Sequence, residues 1–372
     1  MANVARSCWC GSSALEEFGP NYLRCTVCET LAGQAGLADE ATLVRDDDVD
    51  YYTKRYWLEH QRALGLPDVF ARVRHDLPER CVHWLKTLLR YRRPPATVLE
   101  VGAGHGAYTA LLRWAGYEAT ALDLSAWVAD FARTRFGIPY LVGPVEDQDL
   151  EAHTFDVVVA NDVLEHLADP EATMRRCADL LGPTGVLVIQ TPEYPTGRSY
   201  EELKDADDLF LKHMDAATEH LYLFSRKGLE LLLGRLGLRE ISYEKPVYSY
   251  DMLCVAGAAP LRRMEADPSE LVAASATGPL VLALVDAHDA WQASIEAWQV
   301  SENDRAERLV IIERLEAALT GSEDDRQARL EVIERLEAAL KVSEEDRQAR
   351  LEVIERLDAV LTEGEADRRQ RP

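Results

Sequence analysis

The sequence predicts an α/β fold, a doubly wound and mostly parallel sheet of seven strands, preceded by a small cysteine-rich module and followed by a helical repeat tail. Three observations carry this. Short β-rich runs alternate with amphipathic helical patterns from Thr97 to about residue 260, four cysteines crowd the first 28 residues, and one 21-residue pattern occurs three times after residue 300. Strands that alternate with helices pair in parallel and bury both sheet faces under helices.

The chain of 372 residues has room for two ordinary domains and an appendage, and its 47% hydrophobic and 28% charged residues exclude a wholly disordered chain. A net charge of -24 would repel nucleic-acid phosphates and an anionic membrane face, so neither is expected as a partner. No apolar run approaches the length of a membrane span, and MANVARSCWCGSS lacks the apolar core of a secretory signal. A cytoplasmic location is expected.

Residues 1–40 are too short to bury a core without a staple. Cys8-x-Cys10 and Cys25-x2-Cys28 place two close pairs of thiols on two knuckles, a pattern that suits a structural tetrahedral zinc. The first pair is C-x-C instead of C-x2-C, and four reduced, unligated cysteines are the alternative. Cys81, Cys177 and Cys254 stand alone in apolar or amphipathic contexts, so no disulfide framework is expected.

Residues 41–95 hold two helical patterns, DVDYYTKRYWLEHQRALG and FARVRHDLPERCVHWLKTLLRYRR, closed by Pro94-Pro95, and are expected to form a lid or linker. Tyr51, Tyr52, Tyr56 and Trp57 could stack on a sugar, but their spacing equally anchors a helix to the sheet. Lys54, Arg55, Arg72 and Arg74 are candidates for a phosphorylated acceptor, or ordinary surface charges.

The main domain is expected over 96–260. Its strands are TVLEVGAG, EATALDLS, PYLVGPVE, FDVVVAND and GVLVIQTP, then LREISYEK and YDMLCVAGA as a hairpin edge. Gly102-Ala103-Gly104-His105-Gly106 forms a turn where the backbone can touch a ligand and aim a helix N-terminus at it. With Ala107 the run also fits G-x-G-x-x-A, so a nicotinamide-dependent oxidoreductase is a rival. Glu100 favours a cationic ligand group instead, and Asp123, about 20 residues on, can take both hydroxyls of a ribose.

With VLEVGAGHGAYT, ALDLS, FDVVVANDVLEHLADP, LLGPTGVLVIQTP and EHLYLFSRKGLELLLGRLGL, residues 97–256 resemble the class I S-adenosylmethionine-dependent methyltransferases, a Rossmann-like family. The resemblance implies that Glu100, Gly102 and Gly104 cradle the methionine part and that Asp123, with Leu124, holds the ribose. It also sets Val145 and Glu146 beside the adenine and Asn161 under the methyl donor. CWCG…YLRCTVCETL resembles the N-terminal zinc ribbons of bacterial methyltransferases of sugar and polysaccharide synthesis, which implies a small sugar-like acceptor.

His166 and His220 are the candidate proton acceptors, because imidazole titrates near neutrality. A histidine after this strand can also serve only to cap a helix or hold a loop. Asp162, Glu165, His166 and His220 further resemble the divalent-metal set of the ubiquinone-pathway and small-RNA methyltransferases, with Asp in place of the first Glu, which implies a magnesium-type ion. The expected reaction is O-methylation of a small acceptor. The alternatives are C-methylation of a nucleotide sugar and a scaffold that binds S-adenosylmethionine without turnover.

Residues 261–372 are expected to be helical. Three repeats spanning 301–361 begin at Ser301, Ser322 and Ser343 and carry Leu309, Ile312, Leu315 and Leu319, then Leu330, Ile333, Leu336 and Leu340, then Leu351, Ile354, Leu357 and Leu361. This stripe predicts a homodimer through a coiled coil. Ser-x-x-Asp at each repeat start resembles a capping box, which predicts that the tail could break into three helices.

Overall fold

The computed structural model describes residues 7–34, 54, 56–60, 67–214 and 220–369. Tyr51, Tyr52, Arg55 and most of the first helical pattern lie outside them. The chain divides into two units, Met1–Trp291 and Gln292–Pro372.

The first unit is built on seven strands: β4 (Thr97–Val101), β5 (Glu118–Asp123), β6 (Tyr140–Val142), β7 (Phe155–Asn161), β8 (Leu181–Pro192), β10 (Glu240–Glu244) and β11 (Asp251–Gly257), in the order β10-β11-β8-β7-β4-β5-β6. Only β11 runs against its neighbours, so the expected hairpin forms with β10 at the edge and β11 inserted beside β8. Val158, Leu187 and Met252 belong to one core, while Val157, Val188 and Leu253 belong to the other. Successive residues point to opposite faces and both faces are covered, which is why these strands read as continuous apolar runs. Cys177 and Cys254 fill the first core and Cys81 the second. Burial raises the pKa of all three thiols.

Helices α3 (Ala107–Trp114), α4 (Ala126–Phe136) and α5 (Pro170–Leu180) follow β4, β5 and β7. The Ser125 hydroxyl accepts from Val128 N at 3.3 Å to cap α4, and Asp169 accepts from Ala172 N at 2.9 Å to cap α5 behind Pro170. The strand order reverses between β4 and β7, and the crevice beyond their carboxyl ends is where such sheets bind ligands.

Two findings depart from the sequence expectations. The cysteine module is not self-contained: β1 (Leu15–Phe18), β2 (Tyr22–Cys25) and β3 (Leu31–Gly33) form an antiparallel sheet whose fourth strand is β9 (Tyr222–Leu223), from the EHLYLFS segment. Strands of three or four residues make too few ladder bonds to stand alone, and β9 extends that ladder.

The second departure is in the tail. One helix, Gly278–Arg369, runs through Ser301, Gly321, Ser322 and Ser343, so the Ser-x-x-Asp motifs do not cap separate helices. Ser and Gly are poor helix formers, but the ion pairs Asp304–Arg308, Asp325–Arg329 and Asp346–Arg350, each joining residues one helical turn apart, recur in every repeat and offset part of that cost. No helix among the described residues is long and apolar enough to cross a membrane.

Candidate active site

The turn after β4 has left-handed backbone at Gly102 and Gly104, with φ of 72° and 51°. A Cβ on Gly102 would lie 2.3 Å from Val163 Cγ2, and one on Gly104 would lie 2.9 Å from the Trp57 ring. Both positions therefore demand glycine for conformation and for space. Beside this turn opens a cavity of about 510 Å³, lined by Glu100, Gly102, Gly104, Asp123, Leu124, Val145, Glu146 and Asn161. The sequence-derived binding residues converge on one wall.

That wall is electrostatically unfinished. Glu100 is buried, and its carboxylate accepts a hydrogen bond from the Thr109 hydroxyl. Burial, with the Asp123 charge adding to it, pushes its pKa up to about 8. Asp123 is tied to the turn, accepting from Gly104 N at 3.0 Å and Ser125 N at 3.1 Å. Asn161 is buried with neither amide atom hydrogen-bonded among the described residues. A buried amide without a partner is costly in a folded chain unless a ligand completes it. Glu146 accepts from the Thr173 hydroxyl on the exposed rim, while Val145 is buried.

The opposite wall comes from residues 69–89, where α1 (Val69–Asp76) and α2 (Val82–Leu89) are joined by a π-helical turn at Leu77–Cys81. A π turn admits an extra residue and re-aims the side chains around it. Here it brings Arg72, Asp76, Arg80 and Trp84 to the cavity together. Asp76 accepts from His105 Nε2 at 2.9 Å and from Arg72 Nε at 3.2 Å. His105 Nδ1 accepts from Ala107 N at 3.3 Å, which leaves the imidazole proton on Nε2. Burial alone would raise the Asp76 pKa, but the His105 bond and the charges of Arg72 and Arg80 outweigh it and hold it at about 2. Arg80 pairs with Asp162 at 2.8 Å and lies 5.4 Å from the ring centres of Trp84 and Tyr248. Burial works against its charge, but Asp162 and Asp76 push its pKa further up.

The sequence marks Arg72 and Trp57 on this side but gives no sign of Asp76, Arg80 and Trp84, nor of a role for His105 beyond its place in the glycine turn. Pro78 inside an otherwise helical pattern was the available signal for the altered turn. Lys54 and Arg74 are exposed.

His166 lines the cavity. Its ring centre lies 5.0 Å from that of His220, which is not among the lining residues. Glu165 is buried behind them, accepts from the Thr191 hydroxyl at 2.9 Å, and has its pKa pushed up to about 7 by burial and by Asp162. Donor atoms of Glu165, His166 and His220 lie within 4.8 Å of one another. Asp162 is not one of that group: it pairs with Arg80 and accepts from Gln190 Nε2 at 3.1 Å. The four-residue divalent-metal set is thus reduced to three, because the shorter carboxylate is turned to a guanidinium. Asp251, unmarked in the sequence, is buried near Asp162 and Glu165, and burial with their charges pushes its pKa up to about 8.

At the ribbon, the Sγ atoms of Cys8, Cys10, Cys25 and Cys28 lie within 4.8 Å of one another. Cys8–Cys28 is 3.5 Å and Cys10–Cys25 is 3.7 Å. A tetrahedron with Zn–S bonds of about 2.3 Å has edges of about 3.8 Å, so the donor set fits zinc.

Residues 73–243 match a family model described as a methyltransferase domain. The ubiquinone biosynthesis O-methyltransferase of Xanthomonas campestris pv. campestris is 34% identical over 149 residues, covering 36% of this chain and 61% of that protein. Its counterpart in Xanthomonas axonopodis pv. citri is 37% identical over the same length, with the same coverage. The chain thus spans less than two thirds of these relatives. Among solved structures, a SAM-dependent methyltransferase of Thermotoga maritima is 21% identical with a TM-score of 0.37, covering 51% of this chain and 96% of that one. The methyltransferase domain of the citrinin polyketide synthase is 19% identical with a TM-score of 0.38, covering 50% and 54%. Structural likeness of this size adds nothing to the sheet order already described. Residues 73–243 are thus similar to methyltransferase domains.

Proposed function

We propose that this chain transfers the methyl group of S-adenosylmethionine to a hydroxyl oxygen of a small, sugar-like acceptor. The observation that carries the cofactor half is the buried Asn161 amide, unpartnered among the described residues, beside Glu100 and Asp123 in the crevice beyond β4 and β7. The cofactor supplies an activated methyl on a sulfonium, and its ammonium and ribose hydroxyls call for acids and backbone N–H groups together. Glu100, Gly102 and Gly104 would take the methionine part, Asp123 and Leu124 the ribose, and Val145 and Glu146 the adenine. Asn161 would stand next to the methyl.

The acceptor oxygen attacks in line: a C–O bond forms as the C–S bond breaks, and the electron pair stays on sulfur. The protein's work is alignment and removal of the hydroxyl proton. His166, at the cavity wall, is the assigned proton acceptor, with His220 beside it. The names of the relatives, O-methyltransferases, support oxygen as the acceptor atom. The sugar-like character rests on the ribbon's resemblance and on Trp57 and Trp84, aromatic faces in a cavity whose arginines are already paired. Zinc at the four cysteines would be structural. The Glu165, His166 and His220 triad would suit a divalent ion such as magnesium as a subsidiary reading, in which chelation abolishes turnover.

We assign the tail to a homodimer. Its stripe residues, Leu309 to Leu361, are each 40–68% exposed in the single chain, and a second copy would cover them. Light scattering of the full chain against a chain ending near Val300 tests this: a monomer in both cases removes the coiled coil. For the reaction, calorimetric titration with S-adenosylmethionine and with NAD, followed by transfer of labelled methyl to a panel of nucleotide sugars and of small hydroxyl compounds that are not sugars, is decisive. Binding of NAD alone would overturn the reading, and transfer only to the compounds that are not sugars would replace the acceptor.

A further inference from the structure

We infer that the cysteine ribbon is a positioning element of the active site, whose sheet holds the backbone of residues 220–223 and thereby sets the His166 and His220 pair. The inference rests on the role proposed above for the histidines and on zinc at the four cysteines. It goes beyond that reading by assigning the ribbon a part in the chemistry.

The backbone after His220 is clamped from two sides. From the ribbon, Tyr22 Oη donates to the His220 carbonyl at 3.2 Å and Gly33 N donates to the Leu221 carbonyl at 3.0 Å. The β3–β9 ladder sets Ala32 against Tyr222 and Leu31 against Leu223. From the catalytic domain, Leu221 N donates to the Glu165 carbonyl at 2.7 Å, one residue before His166. The ribbon thus reaches both histidines through a single short strand. Phe224 is held independently, its carbonyl accepting from Tyr194 N at 2.8 Å. The β3–β9 ladder and Tyr22 therefore act on the residues nearest His220.

The four sulfurs are the source of this hold. Cys25 ends β2, Cys28 sits in the turn to β3, and the Cys28 carbonyl accepts from Ser225 Oγ at 2.9 Å. Ser225 also caps the helix Arg226–Arg235 through Gly228 N at 3.0 Å. Strands of three or four residues do not keep their register without a crosslink, so a metal on this knuckle sets the register of β3 against β9.

Tyr22→Phe removes one hydroxyl from the clamp and leaves the ring and all four cysteines in place. The test uses the full chain with 13Cε1-labelled histidine, resonances of His166 and His220 being assigned with His166→Gln and His220→Gln. His153, bonded to the Leu181 carbonyl, is the control. In Tyr22→Phe, with zinc content unchanged by elemental analysis, the His220 and His166 resonances should move while His153 stays. Stripping zinc with a chelator should move them further. Unmoved resonances in both samples overturn the inference, and so does an equal displacement of His153, which would mean general loosening. S-adenosylmethionine affinity should be unchanged in Tyr22→Phe. If the unaltered protein binds no S-adenosylmethionine, the functional reading fails while the coupling between ribbon and histidines is still read from the spectra.

Discussion

The two walls of the cavity bury acids in opposite ways. On the glycine-turn side Glu100 has a hydroxyl for a partner and no cation, and its pKa rises to about 8. On the helical side Asp76 is ringed by His105, Arg72 and Arg80, and its pKa falls to about 2. Burial is common to both, so the difference lies in neighbouring charge. One wall has its acids neutralised by the protein's own cations, which completes its charge balance. The other is left for a ligand to complete, which is what a binding surface for a cation requires.

Breaking the completed wall should have the largest effect. Arg80→Leu leaves half-buried Asp162 without its guanidinium and takes one of the neighbouring cations from buried Asp76, which keeps Arg72 and His105, and unfolding in urea at pH 7 should lose about 3 kcal/mol. A loss below about 1 kcal/mol would mean that the wall behaves as a screened surface pair and that the contrast is false.

The unfinished wall should respond in the opposite sense. A carboxyl whose folded pKa lies above its unfolded value binds an extra proton when folded, so its contribution to stability falls as pH rises from about 4.5 to about 8. Asp76 runs the other way: its contribution is present above 3.8 and lost as pH falls through about 2. Glu100→Gln should therefore flatten the decline between pH 5 and 8 and stabilise the free protein at pH 8 by up to a few kcal/mol, while weakening S-adenosylmethionine binding. A variant no more stable than the parent at pH 8 would show that Glu100 is not strained.

Asp123→Ala should leave folding nearly intact and weaken S-adenosylmethionine binding by about 1.5–3 kcal/mol, read by calorimetry, because a charged acceptor for the ribose hydroxyls is lost. Unchanged affinity would remove Asp123 from the site. The smallest effect on either equilibrium is expected for His166→Ala, within about 1 kcal/mol for both stability and cofactor binding, since its role is assigned to proton removal. A loss of cofactor affinity as large as that of Asp123→Ala would make His166 part of the binding wall.

The unfinished wall was legible in the sequence and the finished one was not. Glu100, Gly102, Gly104 and Asp123 fall at the ends of strands or in the turn after them, where residue type and spacing already suit a cationic group and a ribose, whereas Asn161 is implied only by the resemblance to methyltransferases. Asp76, Arg80 and His105 gave no comparable signal. Asp76 and His105 are 29 residues apart, and the π turn that aims Arg80 breaks the helical period by which its face would be read. Asp162 shows the same limit from within a motif: the motif gives its position but not its partner, and Arg80 takes it away from the histidines.

The sequence by itself determined the seven strands, the glycine turn, the paired cysteines and the helical stripe of the tail, because each is written in residue type and short-range spacing. Tertiary structure decided which charges neutralise one another and that β9 completes the ribbon. Tyr22 meets the His220 carbonyl across 198 residues of chain. Contacts of that kind follow from how finished elements pack, since hydrogen-bond and charge partners are chosen by proximity in space, and no local periodicity encodes them.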